Sequence, residues 1–279
     1  MSVVIGIDVG GSTTKIVGYT DAAKLIGRLK VEAADPLTSA YGALGKFINQ
    51  NKFSLADVKQ IIVTGVGSSL LKKKIYGIPT STVDEFQAIG LGGLALSNKK
   101  EGLIVSMGTG TAFVRAGKKG ICHIGGSGVG GGTVLGLGGK LCGIKSFKTL
   151  IALAEKGRLS KVDLNIGDIS TRAISTLTKE ITASNFGKME DGLSTADLAA
   201  GVLNMVFQTV GMMAVFACRN ENMKDVILTG TLSQVPAAKK VFQMLHQMHG
   251  VNFVIPTQAI YATATGAALS YLHKKEKQK

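Results

Sequence analysis

Two turns built from glycine and small hydroxyl residues, each flanked by apolar stretches, lie about one hundred residues apart and constrain this chain more than any other feature. The first runs Val-Val-Ile-Gly-Ile-Asp-Val-Gly-Gly-Ser-Thr-Thr-Lys-Ile-Val-Gly-Tyr over residues 3–19. The second runs Leu-Ile-Val-Ser-Met-Gly-Thr-Gly-Thr-Ala-Phe-Val-Arg-Ala over 103–116. Both read as strand, tight turn, strand. Their turns present backbone N–H groups and small hydroxyls, with little bulk to obstruct an approaching anion. One such hairpin is what many glycine turns make. Two, each opening a segment of alternating strand and helix, predict a duplicated fold whose halves face each other.

The rest of the pattern agrees. Residues 58–65 and 226–230 read as buried strands ending at glycine, and 252–256 as a short strand. Helices are expected near 85–97, 146–156, 194–218, 237–249 and 262–275, with an irregular stretch near 160–190. Strand–helix alternation makes the chain α/β, and the hairpins imply mixed sheets. Residues 125–143 hold ten glycines in nineteen positions and read as a glycine-rich segment able to wrap a small ligand. N–H groups at the start of a following helix would attract an anion there. The other reading is a plain surface loop.

Composition removes several classes. Glycine makes up 37 of 279 residues without a three-residue period, so collagen is excluded. The N-terminus lacks the basic start and apolar stretch of a signal peptide. The longest mostly apolar run, 202–218, is broken by Asn204, Gln208 and Thr209 and falls short of the ~20 residues of a membrane helix. A buried helix is expected there, and no membrane association. Three scattered cysteines without a CxxC pair point to reduced thiols and a cytoplasmic protein. The net charge of +14 favours anions in general. Apart from Lys72-Lys73-Lys74 and the C-terminal tail, the basic residues are scattered. With aromatics at 5%, no base-stacking platform is indicated and no nucleic-acid partner is expected.

In the first hairpin, Asp8 ends a strand and is followed by Gly10, Gly11, Ser12, Thr13, Thr14 and Lys15. A carboxylate in that position can hold Mg²⁺, while the turn's N–H groups and Lys15 meet phosphate oxygens. Taken alone, the same residues make a hairpin with a turn Asp and a surface Lys. Neither a Walker A loop nor a dinucleotide fingerprint follows the first strand.

The Asp8–Lys15 hairpin, Ser106–Thr111 and residues 226–230 resemble the nucleotide-binding elements of the superfamily that joins actin, sugar kinases and the heat-shock chaperone ATPases. Within it, the chain is similar to the type II pantothenate kinases. The motifs that carry this are Gly6-Ile7-Asp8-Val9-Gly10-Gly11, Val63-Thr64-Gly65, Asp84-Glu85-Phe86, Met107-Gly108-Thr109-Gly110-Thr111, Gly125-Gly126-Ser127-Gly128-Val129-Gly130-Gly131-Gly132-Thr133, Ser184-Asn185-Phe186-Gly187 and Thr265-Gly266-Ala267-Ala268. The hairpins specify only the superfamily; the glycine run with Asp84-Glu85 and 184–187 narrows it.

The resemblance implies a two-lobed, duplicated actin-like (ribonuclease H-like) ATPase fold with a nucleotide cleft between lobes. The first lobe would span 1–98, with a closing helix 266–279 packed on it, and the second 99–265. ATP and Mg²⁺ would be bound by Asp8, the first turn, Gly108, Thr109, Gly110, Thr111, Gly130, Gly131, Gly132 and Gly230, with Asp8 nearest the metal. Glu85 would orient the acceptor hydroxyl and collect its proton late; the bland alternative is a helix-start Glu stabilised by the helix dipole. Ser127, Gly128, Lys140 and His123 would meet the acceptor. Many relatives carry Arg where this chain has His123, which cannot form a bidentate carboxylate clamp. The implied activity is ATP-dependent phosphorylation of pantothenate, in a homodimer with coenzyme A or acyl-CoA as a feedback ligand. The alternatives are an ATPase activator of a 2-hydroxyacyl-CoA dehydratase, or a sugar kinase such as N-acetylglucosamine kinase.

Overall fold

The computed structural model describes residues 2–32, 35–71, 74–171 and 178–276. Lys72 and Lys73 of the lysine triplet, 172–177 of the irregular stretch and the last three residues lie outside the described residues.

Two sheets repeat one plan. In the first, β1 (Val3–Val9), β2 (Thr13–Thr20) and β3 (Leu25–Glu32) form an antiparallel meander. After helix α1 (Pro36–Gln50) the chain adds β4 (Val58–Thr64) parallel to β1. The short β5 (Lys74–Ile75) and β6 (Ile78–Thr82) complete the order β3-β2-β1-β4-β6-β5. Helix α2 (Glu85–Ser97) leads to the second sheet. Its meander is β7 (Gly102–Met107), β8 (Thr111–Gly117) and β9 (Gly120–Ser127). Helices α3 (Gly131–Cys142) and α4 (Phe147–Ala154) follow. Next come a small ribbon of β10 (Leu164–Asn165) and β11 (Thr182–Ser184) with the single turn α5 (Ile166–Ile169), and the long α6 (Thr195–Asn220). Then β12 (Asp225–Thr229), α7 (Pro236–His249) and β13 (Asn252–Val254) give the order β13-β12-β7-β8-β9, and α8 (Ala262–Glu276) closes the chain. Three antiparallel strands continued by two parallel ones occur in both halves, so the sequence echo is a structural duplication.

Alternation along the first strand of each sheet sorts side chains to two covered faces. Val3, Ile5, Ile7 and Val9 pack on α1, while Val4 faces Ala264, Ala267 and Ala268 of α8. Leu103, Val105 and Met107 pack among α6 and α7, while Ile104 joins Ile89 of α2. Each buried aliphatic side chain contributes ~1.5–3 kcal/mol. The run 202–218 lies within α6, which is long and apolar enough to cross a membrane; 67% of its apolar window is buried, and it is the central helix of the second core.

The helices exchange partners at the lobe interface. α2 leaves the first sheet yet packs on β7, β8, β9 and β12, and α8 leaves the second sheet yet packs on β1, β2 and β4. They cross backbone to backbone: a Cβ on Gly92 would sit 1.7 Å from the Ala262 carbonyl oxygen, and one on Gly266 1.8 Å from that of Ala88. Residues 85–97 therefore follow the first lobe in the chain but belong to the packing of the second sheet.

Two elements differ from expectation. Residues 125–143 are not one loop: 125–127 pair with Thr111–Phe113 as the end of β9, and α3 starts at Gly131. Sheet pairing and the burial of Val134 and Gly138 override the low helix propensity of glycine, leaving 128–130 as the only turn. Helix α1 was not foreseen, although Pro36 occupies its first turn and Asp35 caps it by accepting from Thr38 N at 2.7 Å.

The 184–187 motif serves the second lobe. Asp163, fully buried, accepts from Asn204 Nδ2 at 2.6 Å, Phe186 N at 2.9 Å and Asn185 Nδ2 at 3.2 Å. These bonds tie the irregular segment to α6.

Candidate active site

The first hairpin places its charges by register. Asp8, the penultimate residue of β1, stands directly opposite Lys15 on β2 and beside Thr64 on β4. Lys15 Nζ donates to Asp8 Oδ2 at 3.1 Å, and both side chains are buried. The other oxygen, Oδ1, faces Gly65, where a Cβ would lie 2.8 Å away. Gly65 has φ +89°, ψ 168°, which favours glycine, and turns the chain away from the carboxylate. The turn closes with Gly10 N donating to the Thr13 carbonyl at 3.1 Å, which leaves Gly11 and Ser12 exposed.

The second hairpin is built the same way, with Gly108 N donating to the Gly110 carbonyl at 2.9 Å. The start of α3 lies against it: Gly131 N donates to the Gly108 carbonyl and Gly132 N to that of Thr109, each at 2.8 Å. A Cβ on Gly130 would approach the Thr109 carbonyl oxygen to 2.6 Å, so the glycine run is what lets helix and hairpin meet. Thr111 Oγ1 donates to the Val129 carbonyl at 2.8 Å and ties the intervening turn to β8. The two hairpins face each other, and the hydroxyls of Ser12 and Thr109 are 3.3 Å apart. Gly230, at φ +84° and ψ 175°, repeats Gly65 at the end of β12 and lies against the Met107 backbone.

Glu85 is the first residue of α2, whose N-cap Asp84 accepts from Gln87 N at 3.0 Å. Burial, followed by the negative charges of Asp8 and Asp84, pushes the Glu85 carboxyl above its ordinary pKa, with Lys15 pulling the other way. Its titration thus couples it to the Asp8–Lys15 pair. Phe86 stacks on His123 of β9 at a centroid separation of 3.8 Å, and Gln87 Nε2 donates to the Ile121 carbonyl at 3.3 Å. These contacts bring His123 beside the start of α2. Ser127 and Gly128 sit at the base of the second hairpin, where Ser127 Oγ accepts from Val129 N at 3.0 Å.

The structure does not bring every expected residue to this cluster. Thr14 alternates with Lys15 and shares the α1 face with Ile16, away from the cleft. Lys140 is exposed in the last turn of α3, nine residues or about 13 Å along the axis from the end that meets the hairpin. Gly65 and Phe86 enter through the fold; they belonged to quoted motifs, but no role for them was legible.

The residues present suit Mg²⁺ of one kind only. Among the described residues no group of three metal-ligating side chains forms, so an all-protein cage is absent. A single strand-end carboxylate whose second oxygen faces a glycine without a side chain fits a cation shared with nucleotide phosphates and water.

Comparison with known proteins bears on these features. The Fumble family model matches residues 95–253. A type II pantothenate kinase of Bacillus cereus is 30% identical over 244 residues, covering 81% of this chain and 83% of the relative. That of Oceanobacillus iheyensis is 28% identical over 275 residues, covering 95% and 98%. Among solved structures, the activator of the 2-hydroxyisocaproyl-CoA dehydratase from Clostridium difficile, with bound ADPNP, superposes with a TM-score of 0.72 at 15% identity over 99% of this chain and 97% of that one. At that identity it shares the fold alone, an actin-like ATPase fold whose duplicated sheets match those described above. Family match, near full-length similarity and fold converge: the chain belongs to the type II pantothenate kinase family.

Proposed function

We propose that this protein transfers the γ-phosphoryl group of ATP to the primary alcohol of pantothenate, giving 4′-phosphopantothenate and ADP. The observation that carries this reading is the near full-length similarity to type II pantothenate kinases, together with the meeting of two glycine hairpins at a buried Asp8–Lys15 pair with Glu85 at the start of α2. Lys15 and the N–H groups of both turns bind and orient phosphate oxygens. Asp8 would hold Mg²⁺, which neutralises phosphate charge when bound. Glu85 orients the alcohol and accepts its proton late, as befits a loose transfer. Ser127, Gly128 and His123 border the acceptor side, with His123 held in place by its stack on Phe86. Gly230 walls the adenine side.

A cytoplasmic homodimer responsive to coenzyme A or acyl-CoA is part of the same proposal and rests on family resemblance. An activator or a sugar kinase has support from fold likeness only. ADP release measured in a coupled assay with Mg·ATP, with and without pantothenate and with N-acetylglucosamine as control acceptor, tests the reading. Pantothenate-dependent release with a product heavier by one phosphoryl group is expected; acceptor-independent hydrolysis would overturn it.

A further inference from the structure

Lys30 has no part in the site as described, yet β-sheet register places it in the same row. Thr64 on β4, Asp8 on β1, Lys15 on β2 and Lys30 on β3 are consecutive partners across four strands. Paired residues share a face, and Val17 and Tyr19, two and four residues beyond Lys15 on the same face of β2, pack toward α8. The Lys30 side chain therefore lies on the cleft side, directly opposite Lys15, where Cβ atoms of an antiparallel pair are ~4.5–5.5 Å apart. Lys30 is half-buried, and among the described residues no hydrogen bond or ion pair engages its ammonium group. Burial and the neighbouring Lys15 push its pKa down, and Glu32 pulls it up.

Two amines opposite each other, with one buried carboxylate already bonded to Lys15, form a costly arrangement unless an anion shares them. The sheet order also sets these charges in a row. Asp84 and Glu85 follow β6 on one side of Asp8, while Lys15 on β2 and Lys30 on β3 stand on the other, with the exposed Glu32 at the end of β3. Arg28 lies one pair further along the same face of β3, opposite Val17, with its guanidinium 5.8 Å from the Tyr261 ring centroid. Tyr261 follows Ala259, whose carbonyl accepts from Gly230 N at 3.1 Å on the adenine side. The basic edge thus runs from Asp8 toward the nucleotide wall, away from Glu85.

We propose that Lys30 is a nucleotide-binding residue of the transfer reaction: with Lys15 it holds the β-phosphate oxygens, on the side of Asp8 opposite Glu85, and takes up the charge that builds there as ADP leaves. This inference rests on the kinase reading above. The acceptor oxygen forms its bond to the γ-phosphorus while the bond to the β,γ-bridging oxygen breaks. That electron pair stays on the β-phosphate beside the two lysines, and the alcohol proton passes to Glu85. In-line transfer puts attacking and leaving oxygens on opposite sides of the phosphorus, which matches a carboxylate at one end of the row and amines at the other.

The test compares wild type with Lys30→Met, which keeps the stem and removes the charge, and Lys30→Arg, which keeps the charge. Calorimetric titration with ADP and with AMP isolates the β-phosphate contact. Lys30→Met is expected to weaken ADP binding about tenfold while AMP binding stays within twofold. In the coupled assay its kcat falls about tenfold or more with the KM for pantothenate unchanged, and Lys30→Arg recovers most of both. Unchanged ADP affinity in a Met variant that melts like wild type would overturn the proposal, as would equal weakening of ADP and AMP. If the Met variant does not fold, Lys30→Gln is read by the same two titrations. The ADP–AMP comparison needs no acceptor. Selective loss of ADP binding in an enzyme that ignores pantothenate would uphold the β-phosphate contact and overturn the kinase reading instead.

Discussion

At Glu85, the proposed role and stability pull in opposite directions. Its carboxyl titrates above the ordinary value because burial and the Asp8 and Asp84 charges oppose ionisation. A raised carboxyl pKa means that the ionised form costs the fold stability at neutral pH, and that this cost disappears as pH falls below the unfolded value. Glu85→Gln should therefore lower kcat by about 10²–10⁴ while melting no lower than wild type at pH 7, the advantage vanishing near pH 4. Coupled ADP release and paired thermal melts at the two pH values check both halves. A folded variant with unchanged turnover would remove Glu85 from the mechanism. Gly65→Ala makes a separate point. A Cβ there is strained at φ +89° and crowds Asp8 Oδ1, so it should lose ~1–3 kcal/mol of stability and most of the activity, as urea unfolding and turnover would show.

The crossing of α2 and α8 depends on small residues at the level of whole elements. Gly92→Ala and Gly266→Ala each drive a methyl into a backbone carbonyl less than 2 Å away. Each should cost at least ~3 kcal/mol in urea unfolding, because two packed backbones must separate. Gly11→Ala provides the contrast: nothing lies within 4 Å of its Cβ, so folding should be unaffected, and any weakening of ATP binding reports on the turn as a phosphate cradle. The start of α6 is an acid-sensitive element. Asp197 accepts from Arg158 N and from the hydroxyl and N–H of Ser194, which lowers its pKa to about 2. A depressed carboxyl pKa contributes stability above the unfolded value and loses it as pH falls. Unfolding of wild type between pH 4 and pH 2 should therefore be steeper than that of Asp197→Asn, with circular dichroism as the measurement.

For the molecule as a whole, the net charge of +14 favours a polyanion such as ATP. Raising salt from ~50 to ~500 mM shortens the Debye length from about 14 Å to about 4 Å, so the KM for ATP should rise several-fold while that for the singly charged pantothenate changes less. Steady-state kinetics at the two salt concentrations decide this; an unchanged KM for ATP would confine the effective charge to Lys15 and its immediate neighbours. The exchange of α2 and α8 also makes each lobe carry a helix of the other's chain segment, so relative motion of the lobes must pass through the Gly92–Gly266 crossing.

What could be read along the chain was whatever is local. The duplicated hairpins, strands ending at glycine and an α/β alternation follow from apolar runs and turn chemistry, and all are found in the structure. Asp8 is legible because a carboxylate beside a glycine turn stands out, whereas Glu85 reads only as an ordinary helix-start residue and gains a role through the family resemblance. Lys30 is not legible, since nothing near it in sequence marks it; only the pairing of β3 with β2 aligns it with Lys15 and Asp8. That α3 runs through residues 125–143 is not legible from the glycine run, because glycine lacks intrinsic helix preference; burial of Val134 and Gly138 and the hydrogen bonds to the second hairpin impose it. Lys140 seemed a neighbour of the glycine run in sequence, but a straight helix carries it away. Sequence determined the elements and their chemistry, because turns, caps and periodicity act over a few residues. Tertiary structure decided which faces meet, because strand register, helix exchange and the convergence of Glu85 with Asp8 and Lys15 join residues far apart in the chain.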